Sequence, residues 1–317
     1  MFNAIGNCSF VPESVQTDAG VAGAGTLLSF IITNFISLFL SAIIIVLGLR
    51  KSTSAPVCRK LLQSLSDQQI VTGIGIQSIG LAKMQSMVPY HFFIIWLLSL
   101  LSTATNLATL LALVNDFRRD WVLRWLRQFF MLINLFLGVL SGIFILQTVL
   151  KNVEPRLPIA CVWEVESRGS SPNAALSIVG TIAVITAQAV VFVLSTWYLH
   201  NRANPAWLKS VQVVGLFALL TMGVGATVRV IMESQAFGSP PKTLNLTGPS
   251  EKSWSYGQLL PLLLLVMPFI STIEVIRGET RMPPSRVDDD TAPLFVNDME
   301  FQPNPLVGSS TNSLFRK

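Results

Sequence analysis

Residues 69–87 read QIVTGIGIQSIGLAKMQSM, and whether this stretch crosses a membrane decides the fold. A hydrocarbon core of about 30 Å needs roughly 20 helical residues at about 1.5 Å each, so the stretch is nearly long enough. It is not uniformly apolar: Gln77, Ser78 and Lys83 interrupt it, and Gly73, Gly75 and Gly80 lower its helix propensity. If it crosses, the chain makes about seven spans. If it does not, every segment downstream changes sides.

The blocks around it are less ambiguous. Continuous apolar runs extend over Ala24–Leu49, Tyr90–Val114, Phe129–Leu150, Ala174–Leu199, Ser210–Met232 and Gly257–Ile276. Charged residues make up 12% of the chain and hydrophobic residues 51%, against about a quarter charged in a soluble domain. Water is therefore not the main solvent, and a backbone in lipid must satisfy its own hydrogen bonds, which selects helices. The fold class expected is an all-α integral membrane seven-helix bundle. Residues 1–23 form an extracytosolic N-terminal segment, 24–276 the seven-span transmembrane domain and 277–317 a disordered cytosolic tail rich in Pro, Ser, Asn and Asp. The first two dozen residues lack Lys and Arg, so the block from Ala24 is expected to act as a signal anchor rather than a cleaved leader. Pro261 and Pro268 remove backbone donors and are expected to kink the seventh span. Gly138 and Gly142 give the fourth a small-residue face.

Orientation follows from Lys and Arg in short loops. With the N-terminus outside, the cytosolic segments hold Arg50, Lys51, Arg59 and Lys60, then Arg118, Arg119, Arg124 and Arg127, then Arg202 and Lys209, then Arg277, Arg281 and Arg286. The outer segments hold only Lys151, Arg156, Arg168, Lys242 and Lys252. The bias puts the N-terminus outside and the C-terminus in the cytosol, in the plasma membrane or another membrane of the secretory pathway. The same bias explains the net charge of +5 as anchoring charge and argues against a nucleic-acid partner. Two sequons, at Asn7 and Asn245, fall in segments assigned to the outside, where glycosylation is possible. Cys8 and Cys161 fall on the same oxidising side and either pair or stand as two thiols, whereas Cys58 falls in the first cytosolic loop.

Ionisable groups deep in a span are expensive and so are functional candidates. Asp67, with Ser66 and Gln69 in a Ser-x-x-Gln pattern, reads as a capping acid at the start of the second span. Lys83 and His91 bracket the turn between the second and third spans, where both would snorkel to the interface. Arg229 and Glu233 stand one helical turn apart at the outer end of the sixth span and suit an ion pair. Were the second, third and sixth spans neighbours, Lys83, His91, Arg229 and Glu233 would line an outward-facing ligand pocket. Glu274 precedes Arg277 by three residues, as in an interfacial ion pair. Asn106 lies deeper, and interhelical hydrogen bonding worth about 0.6 to 2 kcal/mol is its expected use.

No cofactor is expected. His91 and His200 are the two histidines, and neither H-x-x-x-H nor C-x-x-C occurs, which argues against zinc. The glycines of Gly20, Gly23 and Gly25 lead into a membrane helix without a preceding strand, unlike a dinucleotide site, and no Walker A sequence occurs. The seventh span has no lysine for a retinal Schiff base, and Asn115-Asp116-Phe117-Arg118 resembles the acidic-Arg-aromatic motif of rhodopsin-like receptors only faintly.

The runs Asp18 to Gly25 and Leu65 to Gly73, with Tyr90-His91-Phe92 and Ser102 to Leu107, resemble a family of multi-pass membrane proteins in filamentous fungi. The Leu65-Ser66-Asp67-Gln68-Gln69 segment is the most specific part, and the likeness covers the first three spans best. It implies a fungal seven-helix protein without an established activity. The family's pattern favours histidine where this chain has Asn106.

Three functions compete. Seven spans, an outside N-terminus and a Ser/Thr-bearing tail suit a receptor-like or sensory protein, with a small-molecule ligand outside and a cytosolic partner at the tail. A membrane-embedded enzyme acting on a lipophilic metabolite needs converging acids, for which Asp67 and Glu274 qualify, so the balance leans away from an enzyme. A small-molecule transporter needs matched broken helices in two halves, and the sequence shows none.

Overall fold

A computed structural model of the chain describes residues 8–50, 55–119, 121–167, 169, 174–200, 208–239, 244–248 and 250–277. Asn7 and the tail beyond Arg277 lie outside the described residues. The elements are a short strand β1 (Val15–Gln16), α1 (Ala19–Ala22), α2 (Ala24–Leu49), α3 (Pro56–Ala82), α4 (Pro89–Ala112), α5 (Val114–Arg119) and α6 (Trp121–Lys151), then a 3-10 turn (Ile159–Trp163). They continue with α7 (Ala174–His200), α8 (Leu208–Glu233), strand β2 (Leu246–Thr247), α9 (Tyr256–Leu264) and α10 (Val266–Ile276). Six helical stretches among the described residues are long and apolar enough to cross a membrane: Ala19–Leu49, Pro89–Ala112, Arg124–Lys151, Ser177–Trp197, Lys209–Glu233 and Tyr256–Ile276.

The bundle is built around α4. Every residue of α4 except Phe93 and Ala112 is buried, because α2, α3, α6, α7 and α8 all lie against it. Outside this ring, α9 packs on α2 and α10 on α3.

Polarity runs opposite to that of a water-soluble bundle. On α7 the buried positions include Thr181, Gln188 and Ser195, one every second turn, while Val179, Ile182, Val190, Val193 and Trp197 face outward. On α8 the outward face carries Val213, Val214, Phe217, Leu220, Val224 and Val228. An apolar exterior over a partly polar interior is what lipid requires, since exposed apolar area costs nothing there.

The same inversion explains α3, the stretch that hydropathy leaves ambiguous. Ser66, Gln69, Gly73, Gln77 and Gly80 are buried, whereas Val71, Gly75, Ser78, Ile79 and Ala82 are exposed. The buried face mixes these polar and small residues with Leu62, Leu65, Ile70 and Ile76, and Asp67 stands on the outer face, so the helix as a whole is only weakly apolar. The 27 residues of α3 span about 40 Å at about 1.5 Å per residue. The helix starts at Pro56, where a missing amide hydrogen is harmless in the first turn. This corrects the expected start near Gln69, and with it the capping role of Asp67: that residue lies three turns inside the helix.

The last stretch is kinked at Leu265, whose backbone stays right-handed helical (φ −62°, ψ −20°). Pro268 has no amide to bond the carbonyl of Leu264, and α9 ends at that residue, with Leu265 between the two helices.

At one end the connecting segments form a cap. Strands β1 and β2 pair in parallel, Val15 with Leu246 and Gln16 with Thr247. A disulfide joins Cys8 to Cys161. The 3-10 turn donates from the Ile159 and Ala160 amides to the carbonyls of Met87 and Met84, at 2.8 and 3.1 Å. The N-terminal segment and the loops α3–α4, α6–α7 and α8–α9 are thereby tied together. The opposite end carries the end of α2, the start of α3 and α5.

The inward register of α3 is testable at its glycines. A Cβ at Gly73 would overlap Ser102 Oγ and come 2.9 Å from Asn134 Oδ1, whereas Gly75 meets nothing within 4 Å. Gly73→Ala is expected to cost about 1–3 kcal/mol. Gly75→Ala is expected to be neutral, or to stabilise by up to about 1 kcal/mol through helix propensity. Thermal unfolding of the two detergent-solubilised variants measures the difference, and equal stabilities would contradict the register.

Candidate functional site

Beneath the cap lies a buried polar cluster whose central member, Glu251, stands in the loop before α9. Its side chain is fully buried. The Tyr90 hydroxyl donates to Glu251 Oε2 at 3.0 Å and accepts from the Gln235 amide at 2.8 Å. The Glu251 amide in turn donates to Gln235 Oε1 at 3.3 Å, which closes a ring of hydrogen bonds between the start of α4 and the α8–α9 loop. His91 Nε2 lies 2.9 Å from Glu251 Oε1 and 3.3 Å from the Asp18 amide. Asp18 also accepts from Lys83 Nζ at 3.1 Å and caps α1 through the Gly20 amide.

His91 is thus buried rather than interfacial, a correction to the snorkelling expected of it. The reason is the loop carrying Glu251, which folds back over the start of α4. Lys83 is exposed and reaches His91 only by way of Asp18. Arg229 and Glu233 pair with each other at 3.3 Å on the last turn of α8, the arginine exposed and the glutamate half-buried. Of the four residues expected to line one pocket, two meet through Asp18 and the other two make their own pair beside it. Asn245 is exposed and its Nδ2 donates to the Glu13 carbonyl at 3.4 Å. Glu274 is exposed near the end of α10.

A second polar centre lies at mid-height between α3, α4 and α6. Gln77 Nε2 donates to Asn134 Oδ1 at 2.9 Å and Asn134 Nδ2 to Thr103 Oγ1 at 3.1 Å. Ser66 donates to Asn106 Oδ1 at 2.9 Å, Asn106 Nδ2 to Ser102 Oγ at 3.4 Å, and Ser102 to the Gln69 carbonyl at 2.9 Å. Asn106 therefore serves as an interhelical hydrogen-bonding group. On the far side of α4, Asn34 Nδ2 reaches the Leu101 carbonyl at 3.0 Å and Thr105 Oγ1 at 3.1 Å. Thr103, Asn106 and Asn134 also line a cavity of about 10 Å³, room for a single water.

The third centre, at the end away from the cap, is ionic. Arg59 Nε donates to Asp116 Oδ2 at 2.7 Å, and a second guanidinium nitrogen binds the other carboxylate oxygen. Arg127 is ion-paired with Asp67, donates to the Gln63 carbonyl at 3.1 Å, and lies 4.6 Å from the centre of the Phe117 ring. Both guanidinium groups are buried. Together the pairs fasten α3 to α5 and α6.

Several of these residues carry no signal in the sequence. Glu251 is a lone acid in a polar loop, Arg59 and Arg127 read as anchoring charge in short connections, and Asp116 reads only as part of a faint receptor-like motif. Gln77 and Asn134, by contrast, were detectable as polar residues inside long apolar or small-residue stretches.

Asn134→Leu removes the acceptor of Gln77 and the donor to Thr103, so it is expected to lower unfolding stability by about 1–2 kcal/mol. Thr221→Val, which removes an exposed hydroxyl bonded only within α8, should change it by less than about 0.5 kcal/mol. Denaturation of the two variants in the same detergent checks this. Comparison of the chain with protein-family models, with curated proteins and with solved structures finds no match.

Proposed function

We propose that this chain is a receptor-like or sensory membrane protein, with the cap outside the cytosol and the ionic centre at the cytosolic face. In this reading α3 completes seven crossings, and the segment beyond Arg277 engages a cytosolic partner. The supporting observation is the burial of α4 from end to end. One helix carries Tyr90 and His91 under the cap, Ser102 to Asn106 in the middle of the bundle, and leads into Asp116 on α5 at the other end. A change in the cap that shifts α4 therefore reaches the pairs holding α3, α5 and α6 without an intermediate element. Coupling of this kind requires an element that both ends touch, and α4, packed against α2, α3, α6, α7 and α8, runs between the two.

Charge bias in the loops supports the orientation. So does the chemistry of the cap, where a disulfide suits an oxidising compartment and the exposed Asn245 begins a sequon. Glycosylation of Asn245 makes the protein a glycoprotein.

Two measurements test the proposal. In eukaryotic expression, an amidase that removes N-glycans is expected to increase the mobility of the Asn7→Gln variant and to leave the Asn7→Gln, Asn245→Gln double variant unchanged. Labelling of Cys58 by a membrane-impermeant maleimide is expected only after permeabilisation; labelling of intact cells would reverse the orientation. For the sensory role, deletion is expected to abolish the transcriptional response to at least one external condition, and an intact set of responses would remove that role.

A further inference from the structure

The sensory reading leaves the stimulus open, and the cap cluster supplies one. We propose that His91 and Glu251 form an extracytosolic proton-binding site, in which the proton on His91 Nε2 decides which cap segment the imidazole holds. This rests on the orientation and sensory role proposed above.

The argument begins with a conflict of partners. His91 Nε2 is 2.9 Å from Glu251 Oε1 and 3.3 Å from the Asp18 amide nitrogen. One ring nitrogen cannot donate to the carboxylate and accept from the amide at once. With a hydrogen on Nε2, the imidazole binds Glu251 and the Asp18 amide faces another donor. Without it, Nε2 accepts from Asp18 and the Glu251 carboxylate faces a lone pair. The two arrangements hold different segments: the first fixes the α8–α9 loop, the second the N-terminal segment ahead of α1.

Charge decides which arrangement acid favours. Glu251 is fully buried, and a buried carboxylate without a cation is costly. Its neighbours do not neutralise it. Tyr90 donates a neutral hydrogen bond, Lys83 is engaged by Asp18 and Arg229 by Glu233, and Lys252 is exposed. Among the described residues the basic group bonded to Glu251 is His91. Protonation to the imidazolium places a hydrogen on Nε2 in every case and sets a positive charge against the carboxylate. Acidification therefore tightens the grip on the α8–α9 loop and releases the Asp18 amide. Loss of the proton from Nε2, which leaves the ring hydrogen on Nδ1, does the reverse.

Opposite responses of two segments give the test. The full chain is reconstituted in lipid nanodiscs, and hydrogen exchange is followed between about pH 5 and about pH 8, each rate being corrected for that of the unstructured peptide. Protection of residues 250–258 is expected to rise on acidification, by up to about tenfold per pH unit where one proton is taken up, while protection of the Asp18 amide falls. Glu251→Gln and His91→Gln are each expected to remove both responses. Asp18→Asn, which removes the partner of Lys83 and keeps the amide, is expected to retain them.

A pH-independent cap in the wild-type protein overturns the proposal, as does an unchanged response in either Gln variant. So does loss of the response in Asp18→Asn alone. A Gln variant counts only if its Cys8–Cys161 disulfide is intact by thiol titration; otherwise the remaining variant decides. The two ideas fail separately. A cap that follows pH in nanodiscs, together with cells whose responses survive deletion, removes the sensory role and leaves the proton site standing.

Discussion

Helices in lipid gain nothing from the hydrophobic effect when they associate, because hydrocarbon tails are as apolar as leucine. What holds this bundle together is therefore close packing and hydrogen bonding against α4, and both depend on its burial from Pro89 to Leu111. Each neighbour is secured differently. Helix α2 contributes Asn34, bonded to Leu101 and Thr105. Helix α3 brings Ser66 to Asn106, and α6 brings Asn134 to Thr103. Helix α8 is tied at its ends, by Gln212 to the Leu111 carbonyl and by the Gln235 amide to Tyr90. No single bond of this kind is worth more than about 2 kcal/mol, but together they fix the register of the surrounding helices on α4.

The glycines make that register possible. Gly73 admits Ser102 and Asn134 to the surface of α3, and Gly142 on α6 admits Ile185 from α7 beside Trp96. Side chains at these positions would separate the helices by more than a hydrogen bond can span. Small residues and polar residues are thus two parts of one device: the first bring the helix surfaces together, and the second fix how they are aligned.

How much of this was legible in the sequence depends on the kind of signal each part leaves. Apolar runs mark the membrane-crossing stretches because the bilayer acts on every residue of a span, and Ala24–Leu49 was bounded from them alone. Helix α3 leaves a weaker mark because polar residues and glycines share its buried face with Leu62, Leu65, Ile70 and Ile76, so the apolar signal starts at Gln69 rather than at Pro56 and makes Asp67 look like a cap. Pro261 and Pro268 announce the kink of the last stretch, though not its place at Leu265. In the candidate site, His91 was singled out from its position at a span end, whereas Glu251 was not, since nothing local distinguishes a loop acid that folds inward from one that faces water. Pairs such as Arg59 with Asp116 join residues far apart in the chain, and that information resides only in the tertiary structure.

The distribution of polar ties also sets which parts of the bundle are free to move. Helices α3, α4 and α6 are joined at mid-height by Gln77, Asn106 and Asn134, and beyond it by the Asp67–Arg127 pair. Displacing one of them relative to another breaks several buried bonds at once, each leaving unsatisfied groups in a medium without water. Helix α7 carries most of its surface on the outside, and its Thr181 hydroxyl bonds back to its own Ser177 carbonyl rather than to a neighbour. A motion that spares the buried network must therefore move α3, α4 and α6 together as one body against α7 and the outer helices. The cap is fastened to that body through Tyr90 and His91, and the ionic centre is fastened to it through Arg59 and Arg127. Anything that loosens the cap then acts on the whole three-helix body rather than on one local contact.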